Sequence, residues 1–272
     1  MDIATQVETA DQAGLNARYT AADEAARIGG AILQDWATRF TAREKSPANL
    51  VTEADLASQK AIFDYLHERF PNDRFVGEED LGDDAPDQGD GSYQWYVDPL
   101  DGTGNYVHGF PYYAVSIGLA CHGRLHSGHV FDPTRGEMFA ATVGSGAYLN
   151  GQPMQVARCD ALGDAFCVAS LPVATDPENI ALERFLRVAP QVQTVQRTGS
   201  AALNLCYVAC GRIDAFWSTS LSPWDKAAGV VLVQEAGGTI SACGGGPFDL
   251  HVRDVLATGQ GTMRPLLIEA LA

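Results

Sequence analysis

The sequence predicts a layered, mixed α/β (α+β) fold, and three observations carry the prediction. Two stretches with apolar residues at helical spacing open the 272-residue chain, short strand-like runs fill residues 93–149, and strand-like and helix-like segments alternate from 165 onward. With 46% hydrophobic residues the chain can bury a core without disulfide staples.

Taken in order, Leu15, Tyr19, Ala22, Ala26, Ile28, Ile32, Leu33 and Trp36 mark a long amphipathic helix over 15–40. A loop is expected from Thr41 to Asn49. Asp55 and Ser58 open a second helix, with Ile62, Phe63, Leu66 and Phe70 on one face and Pro71-Asn72-Asp73 ending it. The segments Q-W-Y-V, A-V-S-I-G-L-A, H-S-G-H-V-F, E-M-F-A-A-T and G-A-Y-L, punctuated by Gly, Pro and Asp, predict an antiparallel meander. After the turn-rich Asn150-Gly151-Gln152-Pro153, strands are expected at 165–170, 192–197, 213–217, 238–242 and 254–258. Helices are expected at 177–189, 200–210, 224–236 and 262–271. That change of texture divides the chain into an N-terminal α+β lobe, 1–152, and a C-terminal α/β lobe, 153–272, packed as one unit.

The formal net charge of -16 opposes binding to nucleic acid and to anionic membrane surfaces, which would repel the protein at long range. Six cysteines (121, 159, 167, 206, 210 and 243) lie mostly among apolar neighbours and show no C-x-x-C, as reduced core cysteines do. The N-terminus has no signal-peptide pattern and no later stretch reaches membrane-span length, so a soluble, cytoplasmic protein is expected. His122, His126 and His129 cluster around a hairpin turn and read as exposed strand-end side chains rather than a zinc site.

Ten acids against one base, Arg74, stand between Asp73 and Asp101, so nine of the sixteen net negative charges fall in one region. Those from Asp80 to Asp90 read as a solvated loop. Glu78, Asp98 and Asp101 differ, because each abuts apolar sequence and is expected at a strand end, where converging carboxylates suit a hard divalent cation. In Asp98-Pro99-Leu100-Asp101-Gly102-Thr103 the proline ends the strand and frees backbone carbonyls such as that of Leu100. The following Gly-Thr-Gly would leave N–H groups open to a phosphate. Cations bound there would reverse the sign of the site and assist phosphate hydrolysis. A structural Ca²⁺ loop is the alternative, although the EF-hand order is absent. A second stretch, S-P-W-D-K-A-A-G at 222–229, puts Asp225 in the first turn of a helix, where the helix dipole alone would favour it.

V-G-E-E at 76–79, D-P-L-D-G-T-G-N-Y at 98–106, W-D-K-A-A-G at 224–229 and E-A-G-G at 235–238 together resemble the signatures of the inositol monophosphatase family. L-V-T-E-A-D at 50–55 and G-G-P-F-D-L at 245–250 are similar too, so the resemblance runs from about Leu15 to the C-terminus. It implies an α-β-α-β-α layered sandwich like that of inositol monophosphatase and fructose 1,6-bisphosphatase. It also implies a homodimer and lithium-sensitive, Mg²⁺-dependent hydrolysis of a phosphate monoester, with two to three Mg²⁺ per site and no phosphoenzyme. By the same resemblance Glu78, Asp98 and the Leu100 carbonyl would hold the first cation, and Asp98, Asp101 and Asp225 the second. A third would be shared by Glu78 and waters. Gly102 and Thr103 would bind phosphate through their N–H groups. The Thr103 hydroxyl, supported by Asp55, would orient the attacking water together with Glu78. Asp101, Ser200, Ala201, Ser218 and Asp225 would face the substrate. Lys45 falls in the loop that closes over the metals in relatives, with a solvated lysine as the alternative. Where inositol-hydrolysing members show E-x-G, this chain has Ser218-Thr219-Ser220. A neutral serine cannot repeat a charge-assisted bond to a polyol, which counts against inositol 1-phosphate. Thr103-Gly104-Asn105 also differs from the Lys-Glu that follows Gly-Thr in the nucleotide 3'-phosphatase branch, so a small sugar, polyol or amino-alcohol phosphate is expected over a bisphosphorylated nucleotide, with histidinol phosphate, fructose 1,6-bisphosphate and sugar 1-phosphates open. A mainly macromolecule-binding role with incidental phosphatase activity is the rival reading.

Overall fold

Helix α1 (Ile3–Trp36) and helix α2 (Glu53–Arg69) pack together and form the outermost layer of the molecule. The computed structural model describes residues 3–46, 49–79, 92–172, 176 and 178–272, with side chains from 12 onward except at 45, 46 and 49. Helix α2 starts where Thr52 caps it: the Thr52 hydroxyl accepts from the Ala54 and Asp55 N–H groups, and Asp55 accepts back from the Thr52 N–H at 2.8 Å. The stretch expected as a loop at 41–49 instead contributes to an antiparallel pair, β1 (Ala42–Ser46) and β2 (Asn49–Thr52). Among its described side chains Ala42, Arg43 and Glu44 stay exposed, and they show no apolar alternation that would betray a strand in sequence. Lys45 lies on β1, with its side chain outside the described residues, as is the acidic stretch 80–90.

The predicted meander is present. Strands β3 (Arg74–Gly77), β4 (Tyr93–Asp101), β5 (Ala114–Cys121), β6 (Arg124–Asp132), β7 (Glu137–Thr142), β8 (Gly146–Leu149) and β9 (Gln152–Pro153) form one sheet in sequence order. Only the β3–β4 pair in it is parallel. A second sheet contains β10 (Phe166–Ala169), β11 (Thr194–Gln196), β12 (Ala215–Ser218), β13 (Thr239–Ser241) and β14 (Val255–Thr258), in the order β11-β10-β12-β14-β13. The remaining helices are α3 (Thr103–Val107), α4 (Ile180–Val188), α5 (Ala201–Ala209), α6 (Pro223–Glu235) and α7 (Met263–Leu271).

Five layers result, in the α-β-α-β-α arrangement. Leu15, Ala22 and Leu33 of α1 and Ile62 of α2 bury against Val97, Val115 and Ile117 on one face of the first sheet. Leu203 and Leu205 of α5, with Val231 and Leu232 of α6, fill the space between Val130 and Phe139 of the first sheet and Phe216 and Ala257 of the second. Val188 of α4 and Leu267 and Leu271 of α7 cover the far face at Cys167, Ala215 and Trp217. Each fully buried Val, Leu, Ile or Phe among them is worth roughly 1.5–3 kcal/mol relative to exposure. Helix α6 lies unusually close to the first sheet, because Gly118 and Gly128 face it. A Cβ on Gly118 would sit 2.7 Å from the Ala227 Cβ, and one on Gly128 would collide with the Ala228 carbonyl. Those two glycines let the start of α6, with Asp225, reach the end of β4.

One histidine expectation fails. His122 is exposed in the β5–β6 turn, but His129 is fully buried on β6, its ring edge-on to Tyr19 at 4.5 Å between centroids. The strand alternation that faces Val130 to α6 turns His129 under α1.

Candidate active site

Strand β4 breaks its pairing between Asp98 and Asp101, where Pro99 offers no N–H and the register with β5 shifts. The Pro99 carbonyl is taken by the Ser58 hydroxyl at 3.1 Å, and the Leu100 carbonyl lies 3.2 Å from the Thr103 hydroxyl, whose one proton it shares with Asp55 as an alternative acceptor. Gly102 then turns the chain at φ +99, in a spot where a Cβ would lie 3.0 Å from the Tyr112 carbonyl. Only glycine meets both conditions without strain. This turn opens α3 and leaves the Thr103 hydroxyl 3.1 Å from Asp55 Oδ1.

Glu78 comes in from the end of β3, its N–H donating to the Val97 carbonyl at 3.1 Å. Its neighbours are anchored: Gln59 bonds the Glu79 N–H at 3.0 Å and the Glu79 carbonyl, and it packs so tightly on Gly77 that a Cβ there would strike its amide. Asp225 comes from the other direction, as the third residue of α6, with Oδ2 accepting from the Ser222 N–H at 2.7 Å. Carboxylate oxygens of Glu78, Asp98 and Asp225 all lie within 4.8 Å of one another. The structure thus joins three of the four acids named from sequence.

Asp101 is not in that trio. Its oxygens accept from the Ser200 hydroxyl, the Ala201 N–H at 3.2 Å and the Ala202 N–H at 2.7 Å, which ties β4 to the start of α5. Three bonds leave a carboxylate about one lone pair, and Asp101 remains close enough to Asp225 to raise its proton affinity.

The electrostatics show the cost of this clustering. Burial, followed by the charges of Glu78, Asp101 and Asp225, holds the Asp98 carboxyl well above the usual range. Burial also lifts Asp101 to about 6 against the pull of its three hydrogen bonds. Asp225 is pushed to about 8, by lost hydration first and then by Asp101 and Glu78. Asp55 is raised chiefly by burial. Among the described residues no Lys or Arg forms an ion pair with Asp98, Asp101 or Asp225. Even the neighbouring Lys226, itself lowered to about 8 by burial, turns its ammonium to the Val252 carbonyl. Oxygen-only donors at this spacing, short of positive charge, fit one or more hard divalent cations.

The acids floor a cavity of about 850 Å³ whose walls include Gly102, Thr103, Asn105, Ala201, Ser220 and Trp224. Ser200 and Ser218, expected to face substrate, do not reach it: Ser200 is buried on Asp101, and Ser218 is buried beneath Ser220, which takes its place on the wall. The alternation of β12 turns Ser218 inward. Sequence reading missed Arg197, Arg253 and Asn105 on the walls: the two arginines belong to loops where no periodicity signals orientation, and Asn105 sits on α3, which is too short to show any.

A family model described as the inositol monophosphatase family matches residues 15–272. The chain belongs to the inositol monophosphatase family. It is accordingly a phosphoric monoester hydrolase of a metal-dependent group. It is 38% identical to inositol monophosphatase 3 of Solanum lycopersicum over 91% of this chain and 94% of that one. It is 39% identical to a Pseudomonas aeruginosa protein named Nus factor SuhB, over 84% and 85% of the two chains. The inositol monophosphatase structure from Anabaena (Nostoc) superposes with a TM-score of 0.81 at 35% identity, covering 95% of this chain and 96% of that one. No helix among the described residues is long and apolar enough to cross a membrane.

Proposed function

We propose that the protein is a Mg²⁺-dependent phosphomonoesterase that hydrolyses a small sugar, polyol or amino-alcohol phosphate by direct attack of water. The observation that carries this reading is the Glu78, Asp98 and Asp225 trio, held within 4.8 Å with no ion-pairing base on Asp98 or Asp225 among the described residues. Glu78, Asp98 and the Leu100 carbonyl would hold one Mg²⁺; Asp98, Asp101 and Asp225 would hold a second, and Glu78 with waters a third. Such ions neutralise the phosphoryl oxygens and acidify a water at neutral pH. The chain's own groups do the positioning. Gly102 and Thr103 present backbone N–H groups to the phosphate, and Asp55 accepts the Thr103 hydroxyl proton so that the hydroxyl oxygen can receive a water's hydrogen bond. Glu78 takes up a proton from that water. A homodimer, a cytoplasmic location, lithium sensitivity and closure of the Lys45 segment belong to the same reading, as does the division into lobes 1–152 and 153–272.

Phosphate release with and without Mg²⁺ tests it, on inositol 1-phosphate, histidinol phosphate, fructose 1,6-bisphosphate, glucose 1-phosphate and adenosine 3',5'-bisphosphate. Mg²⁺-dependent turnover of at least one small phosphate is expected; no release from any, with metal bound, overturns the reading. The name of the Pseudomonas relative favours a second reading, a macromolecule-binding role with incidental hydrolysis. A stable partner recovered equally with Mg²⁺ and with chelator would support that one.

A further inference from the structure

Lys226, the fourth residue of α6, is fully buried. The helix dipole disfavours a cation in a first turn, and a buried charge without a counter-charge is costly. Among the described residues Lys226 makes no ion pair. The acids of the segment it faces are engaged elsewhere: Asp254 bonds Arg184 at 3.2 Å and the Cys243 N–H at 2.7 Å, and Asp249 accepts from the His251 N–H at 2.8 Å. An apolar side chain of the same length would fill the space without the electrostatic cost, so packing alone does not call for the ammonium.

What the ammonium holds is a stretch of backbone. It donates to the Val252 carbonyl and stands 5.6 Å from the centre of the Phe248 ring. His251, Val252 and Arg253 are all exposed, so no buried side chain of their own anchors them. Arg253 nevertheless lines the catalytic cavity, and its carbonyl accepts from the Leu221 N–H at 3.2 Å. The next residue, Ser222, donates its N–H to Asp225 Oδ2 at 2.7 Å. These three bonds close a ring that runs from Asp225 through Ser222 and Leu221 to Arg253, Val252 and Lys226, and returns to Asp225 along the helix. Lys226 supplies the one link that belongs neither to the acid set nor to the backbone.

We infer that Lys226 is a positioning residue for the reaction: its ammonium latches residues 251–253 to α6 and so sets the cavity wall at Leu221, Ser222 and Arg253 in fixed relation to Asp225. One helical turn then places both a cation-binding acid and the wall that meets the substrate, and a small displacement of such a wall is costly in turnover. The inference rests on the phosphatase reading above and adds to it a residue that touches neither substrate nor metal.

Lys226→Met and Lys226→Arg test it, by phosphate release from inositol 1-phosphate, fructose 1,6-bisphosphate and glucose 1-phosphate in Mg²⁺, by melting temperature and by amide hydrogen exchange. The Met variant is expected to melt at or above the wild type, because it removes a buried unpaired charge. It should also raise KM about 10-fold with kcat kept within a few fold, and exchange the Leu221 amide and residues 251–253 about 10-fold faster. The Arg variant, which keeps a charged donor, should recover most of the loss. Should the Met variant not fold, Lys226→Gln is read by the same criteria. An unchanged KM and exchange rate overturn the latch. So does an activity loss that merely follows a lowered melting temperature, or one that vanishes when the Mg²⁺ concentration is varied, since that would place the effect on the cation. A wild type inactive on all three substrates is a failure of the phosphatase reading instead, and the exchange comparison then decides the latch by itself.

Discussion

Asp73 and Asp98 are both buried carboxylates in the first sheet's neighbourhood, and their surroundings are opposite. Asp73 is met by Arg18 through two nitrogens at 2.7 and 2.8 Å and by the Trp95 indole N–H at 3.0 Å. Arg18 is itself sandwiched near Tyr93 and Phe70, 3.6 and 4.5 Å from their ring centres. Among the described residues Asp98 receives one hydrogen bond, from the Leu100 N–H at 3.0 Å, and is otherwise faced by carboxylates. The chain completes the charge of the first and leaves the second to be completed from outside. A buried acid with its counter-charge supplied locally serves the fold, and one without it marks a site for a cation.

Substitution should separate the two roles. Asp98→Asn is expected to lower phosphate release by about 100-fold or more while raising the melting temperature of the metal-free protein, because it removes one charge from a crowded cluster. Turnover equal to wild type at saturating Mg²⁺ would contradict the site. Asp73→Asn should do the reverse: it strands Arg18 and costs about 3–5 kcal/mol in chemical denaturation, with kcat/KM of the folded enzyme kept within a few fold. A catalytic loss at Asp73 matching that at Asp98 would erase the distinction.

Metal and pH sharpen the contrast at the acid cluster. Asp101 near 6 and Asp225 near 8 stand above the unfolded value of about 3.9, so in chelator their contribution is fully present below that value. It is lost as pH rises through 6 and then 8. Metal-free protein should therefore melt lower at pH 8.5 than at pH 5, and Mg²⁺ should raise the melting temperature by several degrees at the higher pH and less at the lower. Thermal scans that coincide with and without Mg²⁺ at pH 8.5 would count against cation binding. The smallest effect is expected at Ser200, whose hydroxyl serves both Asp101 and, at 3.3 Å, the Leu203 N–H at the start of α5. Ser200→Ala should cost about 1 kcal/mol of stability and roughly 10-fold in Mg²⁺ affinity. An unchanged Mg²⁺ titration would show that Asp101 needs no such support.

Much of this molecule was legible because its signals are local. Helical spacing, strand alternation and the Gly-Pro-Asp punctuation placed the meander and every C-terminal strand and helix to within a few residues. The β1–β2 pair escaped because an exposed, charged strand has no apolar periodicity to show. His129 escaped because a polar residue beside a turn gives no sign of which face it will take.

The sequence by itself determined which residues bear charge beside apolar runs: Glu78, Asp98, Asp101 and Asp225 follow from chain chemistry, while Pro99, expected to end its strand, only interrupts the pairing of β4, which runs on to Asp101. Tertiary structure alone decided which of them meet. Glu78, Asp98 and Asp225 converge because the glycines at 118 and 128 admit α6 against the sheet, whereas the start of α5 takes up Asp101. The same packing turned Ser218 inward and set Arg197 and Arg253 on the cavity wall. Proximity between residues more than a hundred positions apart depends on how whole layers fit, a property that no local pattern encodes.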